Sequence, residues 1–173
     1  TSFRQGGFNL PLRPGETVRA IRAFNVLRQY EEAQVAPAWQ TMGESLLPGG
    51  LLIEGTSDPP GRTWVGNLLR RTEAGLVYEG LLFSTNFHAG FDPAMFQPVL
   101  PKNLIHRMLP GEPIYRFMEA WKRAAEETVA HRAWGPRQWF AASAQALAAR
   151  GIPVLLRPRL IRQLPVPASQ RGR

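Results

Sequence analysis

The residues best placed to do chemistry are polar groups at the ends of apolar runs. The run TVRAIRAFNVL, residues 17–27, is apolar and partly β-branched, and it predicts a strand ending near Asn25. The run LLIEGT, residues 51–56, predicts a short buried strand that carries Glu54 and Thr56 at its end. In an open α/β sheet, ligands sit outside the carboxyl ends of the strands. Asn25 occupies one such end, and Glu54 to Thr56 occupy the next. The plainer alternative is that Asn25 turns the chain and Thr56 bonds a local backbone group.

A second candidate group lies in the Pro- and Gly-rich stretch of residues 86–113. There a neutral His106 has the chemistry of a general base, and Arg107 that of a carboxylate or phosphate clamp. The alternative is a loop histidine bonded to backbone, with Arg107 paired to Glu112. Trp64, beside the loop SDPPG, is a candidate pocket wall, whereas Trp39, Trp121 and Trp139 fall on helical faces and read as core.

Other chemistries lack their patterns. His88, His106 and His131 are the only histidines and lie 18 and 25 residues apart, so no metal site is supported. No serine stands in a Gly-x-Ser-x-Gly frame, and no phosphate-binding P-loop occurs. The absence of cysteine removes disulfides, thiolate zinc sites and a cysteine nucleophile together.

These groups must be positioned by one domain's worth of chain. The sequence has 173 residues, 44% hydrophobic and 20% charged, an ordinary globular composition. No apolar run approaches membrane-spanning length and no signal-peptide pattern opens the chain, so the expectation is a cytoplasmic protein without a membrane partner. Residues 1–127 hold thirteen basic and thirteen acidic residues, and the formal net charge of +8 comes from eight arginines beyond Glu127. Those are Arg132, Arg137, Arg150, Arg157, Arg159, Arg162, Arg171 and Arg173, with no acidic residue in that part of the sequence. Such a basic segment suits nucleic acid or an acidic partner, with salt-sensitive association lost on changing Arg157, Arg159 and Arg162 to Gln. Arginine outnumbers lysine 19 to 2, which a GC-rich genome explains equally well.

The order of elements predicts an α/β fold. Residues 1–16 read as an irregular lead-in, and 17–58 as a βαβ unit whose helix covers 30–47, with Pro37 in its first turn or at a kink. On that helix Val35, Trp39, Met42 and Leu46 share a face, and Pro48-Gly49-Gly50 stops it before the next strand. Residues 64–85 form a hairpin around Glu73-Ala74-Gly75. Residues 86–113 are mostly loop with one helical turn. Helices follow over 114–132 and 136–150, with Glu119 paired to Arg123 and Gly151 as a cap. A last strand lies at 153–157, within the segment 114–160, and a basic tail at 165–173.

The block NVLRQY, a helix, and then LLPGGLLIEGTSD resembles the second half of the class I S-adenosylmethionine-dependent methyltransferase fold. In that family the fourth strand ends in a motif, often Asn-Val-Leu, beside the methyl-transfer site. A helix and a Leu-x-Pro-Gly-Gly turn then lead into the fifth strand, as Leu47-Pro48-Gly49-Gly50-Leu51 would here. The stretch LPKNLIHRMLPGEPIY looks like a segment of poorly characterised bacterial members. The resemblance spans residues 17–160 in element order and is sharpest over 22–58. It implies the carboxyl-terminal portion of a Rossmann-like methyltransferase sheet, with helices on its faces and an antiparallel hairpin. The implied cofactor is S-adenosyl-L-methionine, contacted by Asn25, Val26 and Leu27. The same reading puts Asn25 near the reacting centre, Arg28 and Tyr30 beside it, Glu54 and Thr56 on the pocket rim, and His106, Arg107 and Glu112 on the acceptor side. Methyl transfer would go to an unidentified small-molecule or macromolecular acceptor.

The family holds its cofactor with a Gly-rich loop after the first strand and an acidic residue ending the second, and nothing before Thr17 supplies them. The expectation is therefore a piece of a longer chain, in keeping with a start at Thr1, or a protein without that loop. The exposed edges of a half-sheet would call for a partner, a second copy of this chain included. A non-catalytic binding or regulatory module is the alternative.

Overall fold

The computed structural model of the chain describes residues 3–155. They fall into two compact units: one runs to Ser84 and includes Val99–Asn103, and the other holds Thr85–Pro98 and the chain from Leu104 onward. The fold is α/β, with a four-stranded mixed sheet in the first unit.

In that unit β1 (Val18–Phe24) leads through 3-10 turns at Leu27–Gln29 and Glu32–Gln34 into helix α1 (Val35–Glu44), followed by β2 (Leu46–Ser57). β1 and β2 pair in parallel, so the predicted βαβ unit forms. β3 (Thr63–Thr72) pairs antiparallel with β2, and β4 (Gly75–Thr85) follows through Glu73-Ala74 as the hairpin partner on the far edge. Leu52, Glu54 and Thr56 alternate along β2 and face the same way. With Leu69, Met42 and Leu46 packed against Leu52, this face forms the core, which α1 covers. Leu27, Val35 and Ala38 continue it toward the β1 end.

Two expectations here need correcting. The helix predicted over 30–47 is shorter, because Tyr30 is extended and Glu31 and Gln34 close a capping box ahead of α1. Pro37 then sits in the first turn of α1, where its missing N–H costs nothing. Leu46 is buried as expected, but as the first residue of β2.

Pro48-Gly49-Gly50 is also not the turn before a strand. It lies inside β2, where the register moves from Val18↔Leu46 to Ala20↔Leu51, so the extra residues bulge out of the ladder. Gly49 takes φ +82 there, a conformation that favours glycine, and its carbonyl accepts a hydrogen bond from Arg70 Nη1 at 3.2 Å.

Ahead of β1, the lead-in has no helix or strand among its described residues, yet it is tied down. Arg4 pairs with Glu16, and the Arg13 N–H donates to Glu16 at 2.9 Å. The Arg4 hydrogen bond chiefly, then that from Arg13, holds the Glu16 carboxyl at about 2.

The second unit is helical. The stretch predicted as mostly loop with one helical turn holds a 3-10 segment at Pro93–Val99 and the short α2 (Lys102–Ile105), of which Val99, Lys102 and Asn103 belong to the first unit. α3 (Pro113–Glu127) and α4 (Pro136–Ala149) each carry Pro in the first turn. The α-helix predicted over 114–132 ends early, at the Thr128 cap. The Thr128 hydroxyl donates back to the Ala124 carbonyl at 2.7 Å, and the chain tightens into a 3-10 segment, Val129–Trp134.

Glu119 pairs with Lys122 rather than Arg123. α4 ends as expected at Gly151, φ +80, where the N–H groups of Gly151 and Ile152 donate to the Ala148 and Leu147 carbonyls.

The core of this unit is aromatic. Phe96 stacks on Trp121 with centroids 5.2 Å apart, and Phe91 meets Trp121, Trp139 and Phe140. The indole N–H of Trp121 donates to Ser143 Oγ at 2.9 Å and that of Trp139 to the Ala125 carbonyl at 2.8 Å. The three tryptophans read as core therefore pack as such, Trp39 in the first unit and Trp121 and Trp139 here. No strand forms over residues 153–155, and the rest of the predicted strand and the basic tail lie outside the described residues.

Candidate functional site

The carboxyl ends of the parallel pair carry the most constrained group. β1 stops at Phe24, and Asn25 takes φ +61, a left-handed conformation that Asn tolerates better than most residues. Its N–H donates to the Gly55 carbonyl at 2.8 Å. Its side-chain amide is used at both ends: Nδ2 donates to Ser57 Oγ at 3.0 Å, and Oδ1 accepts from the Ser57 N–H at 2.9 Å. The two strand ends are thus clasped together by one exposed side chain. Asn25 does turn the chain, as its plainer reading holds, and it also fixes where the next residues emerge.

Those residues separate by burial. Val26 is 39% exposed and Tyr30 37%, with its ring 5.3 Å from Phe8, and Arg28 is exposed. Leu27 is fully buried against Val35 and Ala38, so its side chain belongs to the core. A cofactor contact through that side chain, as the resemblance implies, is not what its burial offers.

Glu54 and Thr56 do not form a rim; each is 1% exposed. The cause is the length of β2 and its pairing. β3 runs beside it as far as Trp64 opposite Ser57, so both residues lie inside the sheet's covered face. There Glu54 Oε2 accepts from Asn67 Nδ2 at 2.9 Å and from the Trp39 indole N–H at 3.3 Å. Asn67 Nδ2 also donates to Asn103 Oδ1 at 3.0 Å. Burial pushes the Glu54 carboxyl above its usual range, and the hydrogen bonds from Asn67 and Trp39 offset part of that. Trp64 lies in β3 beside the loop, with its ring edge-on to Phe24 at 5.3 Å, and the Arg22 guanidinium covers Phe24 at 3.8 Å.

His106, Arg107 and Glu112 belong to the second unit. His106 and Arg107 are exposed just after α2, and Glu112 precedes α3 as its half-buried N-terminal residue without capping through its side chain. The residues first sought as one site are therefore spread over two units, and the strand-end group and the histidine group are each local arrangements.

Ser57, Asn67 and Asn103 were missed by sequence reasoning. Ser57 is one residue beyond the strand end considered, and Asn67 interrupts the apolar run of β3, the one signal that it serves a buried partner. Of the carboxyl-terminal arginines, Arg150 pairs with Glu127, so it is not unopposed in space. Arg132 and Arg137 lie over the Trp139 and Phe87 rings at 5.7 and 5.6 Å. Arg157, Arg159, Arg162, Arg171 and Arg173 lie outside the described residues.

Asn25→Ala is expected to cost about 2 kcal/mol, from the lost clasp and from placing a Cβ without a compensating amide at positive φ. Asn25→Gly relieves the backbone and should cost about 1 kcal/mol. Urea midpoints of the two variants check this, and equal losses would remove the backbone part of the argument.

No protein-family model, curated protein or solved structure matches this chain. Among the described residues, no three metal-ligating side chains cluster and no helix is long and apolar enough to cross a membrane.

Proposed function

We propose that this chain forms the carboxyl-terminal half of a class I S-adenosylmethionine-dependent methyltransferase sheet and contributes the wall beside the transferred methyl group. One observation carries the reading. The only parallel strand pair among the described residues ends in a left-handed Asn25 clasped to Ser57, and Val26, Arg28 and Tyr30 emerge immediately outside it. That is the ligand side of an open α/β sheet.

A sulfonium nucleoside needs an apolar wall for its flat base, acceptors for its ribose hydroxyls and close backbone approach at its amino-acid end. Val26 offers apolar surface and the clasp offers a rigid strand end. The carboxylates of β2 and its following loop are committed elsewhere: Glu54 is buried on Asn67 and Trp39, and Asp58 accepts from the Thr63 N–H at 2.9 Å. The described residues fit one wall of such a site and do not fit the whole nucleoside.

In this reading Asn25 is a positioning residue, fixing the backbone that faces the methyl group. Arg28 and Tyr30 offer a cation and a phenol to the acceptor, and His106, Arg107 and Glu112 are further acceptor-side candidates. Placement is the main demand of an in-line methyl displacement, so rigidity at Asn25 matters more than acid–base strength.

Titration of the chain with S-adenosylhomocysteine, followed by NMR, tests the reading. One wall should give saturable binding near about 1 mM that shifts the signals of residues 25–30, and Asn25→Ala should weaken it at least about tenfold. No saturable binding, or shifts confined to other residues, overturns it.

A further inference from the structure

The second unit contains a cleft that the methyl-transfer reading does not use. It has a volume of about 250 Å³ and is lined by Ala89, Gly90, Phe91, Arg132, Pro136 and Trp139. Its chemistry is one-sided. Phe91 is 6% exposed and stands edge-on to Trp139 at 5.2 Å, so the two rings form a fixed aromatic corner. The Trp139 indole N–H is already donated to the Ala125 carbonyl, which leaves the cleft only the ring surface. Ala89 and Gly90, which also line the cleft, bring little side-chain bulk to it. Gly90 is held at φ +81, and its N–H is spent on the Phe87 carbonyl at 3.0 Å.

The charge at this cleft is Arg132. It is exposed, its guanidinium lies 5.7 Å from the centroid of the Trp139 ring, and no described carboxylate pairs with it. Its sequence neighbours offer none, since the last acidic residue is Glu127, and that one is taken by Arg150. The same wall is the start of α4, which has no acidic residue in its first turn and no side-chain cap. Its positive end therefore adds to the field of the guanidinium. A cation is repelled by this arrangement. A polyanion such as a triphosphate would find one guanidinium and ring surfaces where it needs several donors.

We propose that this cleft binds a small aromatic carboxylate, with its ring in the Phe91–Trp139 corner and its carboxylate on Arg132. At about 250 Å³ the cleft is smaller than the pockets that take drug-sized ligands, and it suits a single substituted ring. The Arg132 guanidinium, 5.7 Å from the centroid of the Trp139 ring, is close enough to the aromatic corner for one small ligand to meet both, and its planar fork matches a carboxylate. The ring adds offset or edge-to-face contacts that an aliphatic acid or an inorganic anion does not make. The site is separate from the strand-end wall and stands without it.

Benzoate is the probe, titrated into the full chain while the five tryptophan indole N–H signals are followed. The Trp139 signal, identified by its loss in Trp139→Phe, is expected to move saturably at about 1 mM or below. Arg132→Gln alters an exposed side chain and should weaken benzoate at least about tenfold. In the parent protein neutral benzamide should bind about tenfold more weakly than benzoate, and in Arg132→Gln the two should bind alike. A Trp139 signal that stays still at about 10 mM benzoate overturns the site. Benzoate binding indifferent to Arg132→Gln overturns the assignment of the carboxylate, and inorganic phosphate binding as tightly as benzoate overturns that of the ring.

Discussion

Gly55→Ala is expected to destabilise the protein by about 3 kcal/mol or more and to lower its thermal midpoint by roughly 10 °C. Gly55 stands opposite Gly66 where β2 and β3 pair. A Cβ on Gly55 would overlap the Val65 carbonyl oxygen and come within 2.7 Å of the Gly66 Cα. Both obstacles are backbone, so no rotamer change relieves them. The strands would have to part between the Glu54↔Asn67 and Thr56↔Val65 pairs, which hold the buried polar network. The Asn25 N–H donates to the Gly55 carbonyl, so the clasp loosens with it. Gly111→Ala is the control. Its φ of +95 is unfavourable for alanine, but nothing lies within 4 Å of its Cβ, and the expected loss is about 1 kcal/mol. Comparable losses for the two variants in thermal melts would remove close strand approach as the cause.

The same contrast, local chemistry against pairing decided far along the chain, separates what the sequence made legible from what it hid. The end of β1 at Asn25, the hairpin and the Gly151 cap follow from β-branched runs and glycines acting within a few residues. Each is found where it was expected. The helix reading over 30–47 failed through a coincidence of period: Val35, Trp39 and Met42 fit one helical face, and Leu46 fits the spacing while belonging to a strand. Pro48-Gly49-Gly50 is a helix stop by composition, and only the Val18↔Leu46 and Ala20↔Leu51 pairing reveals a bulge.

The candidate site divides in the same way. Asn25 was legible because a strand end followed by a turn is a local pattern. Glu54 was misplaced because its burial depends on β3 extending to Trp64 opposite Ser57. The Glu127–Arg150 pair joins residues more than twenty positions apart on different helical elements, so a count of charges along the sequence leaves Arg150 unopposed. Asn103, on α2, had no signal at all, since its role is to accept from an asparagine on a strand 36 residues earlier.

The buried network makes the stability of the protein depend on pH through Glu54. Burial raises its folded-state carboxyl above the ordinary glutamate range, so the folded protein holds this proton more tightly than the unfolded chain. The sign follows: the contribution is complete below the unfolded value and is lost as pH rises through the folded one. Both donors, Asn67 Nδ2 and the Trp39 indole N–H, reach the same oxygen, Oε2. A glutamine with its carbonyl oxygen in that place keeps both hydrogen bonds and removes the charge. Glu54→Gln is therefore expected to flatten the dependence across mildly acidic to neutral pH and to gain about 1 kcal/mol at pH 7. Asn67→Leu removes the shorter of the two hydrogen bonds and leaves a buried carboxylate with the indole alone. It should cost about 3 kcal/mol at pH 7 and less at pH 4, where the carboxyl is neutral. Combining the two substitutions should recover most of that loss at pH 7, because the uncompensated charge is gone. Urea midpoints measured from pH 4 to pH 8 decide it. A Glu54→Gln profile parallel to the parent's would place the proton elsewhere, and an Asn67→Leu loss independent of pH would make the asparagine a packing residue rather than the partner of a buried charge.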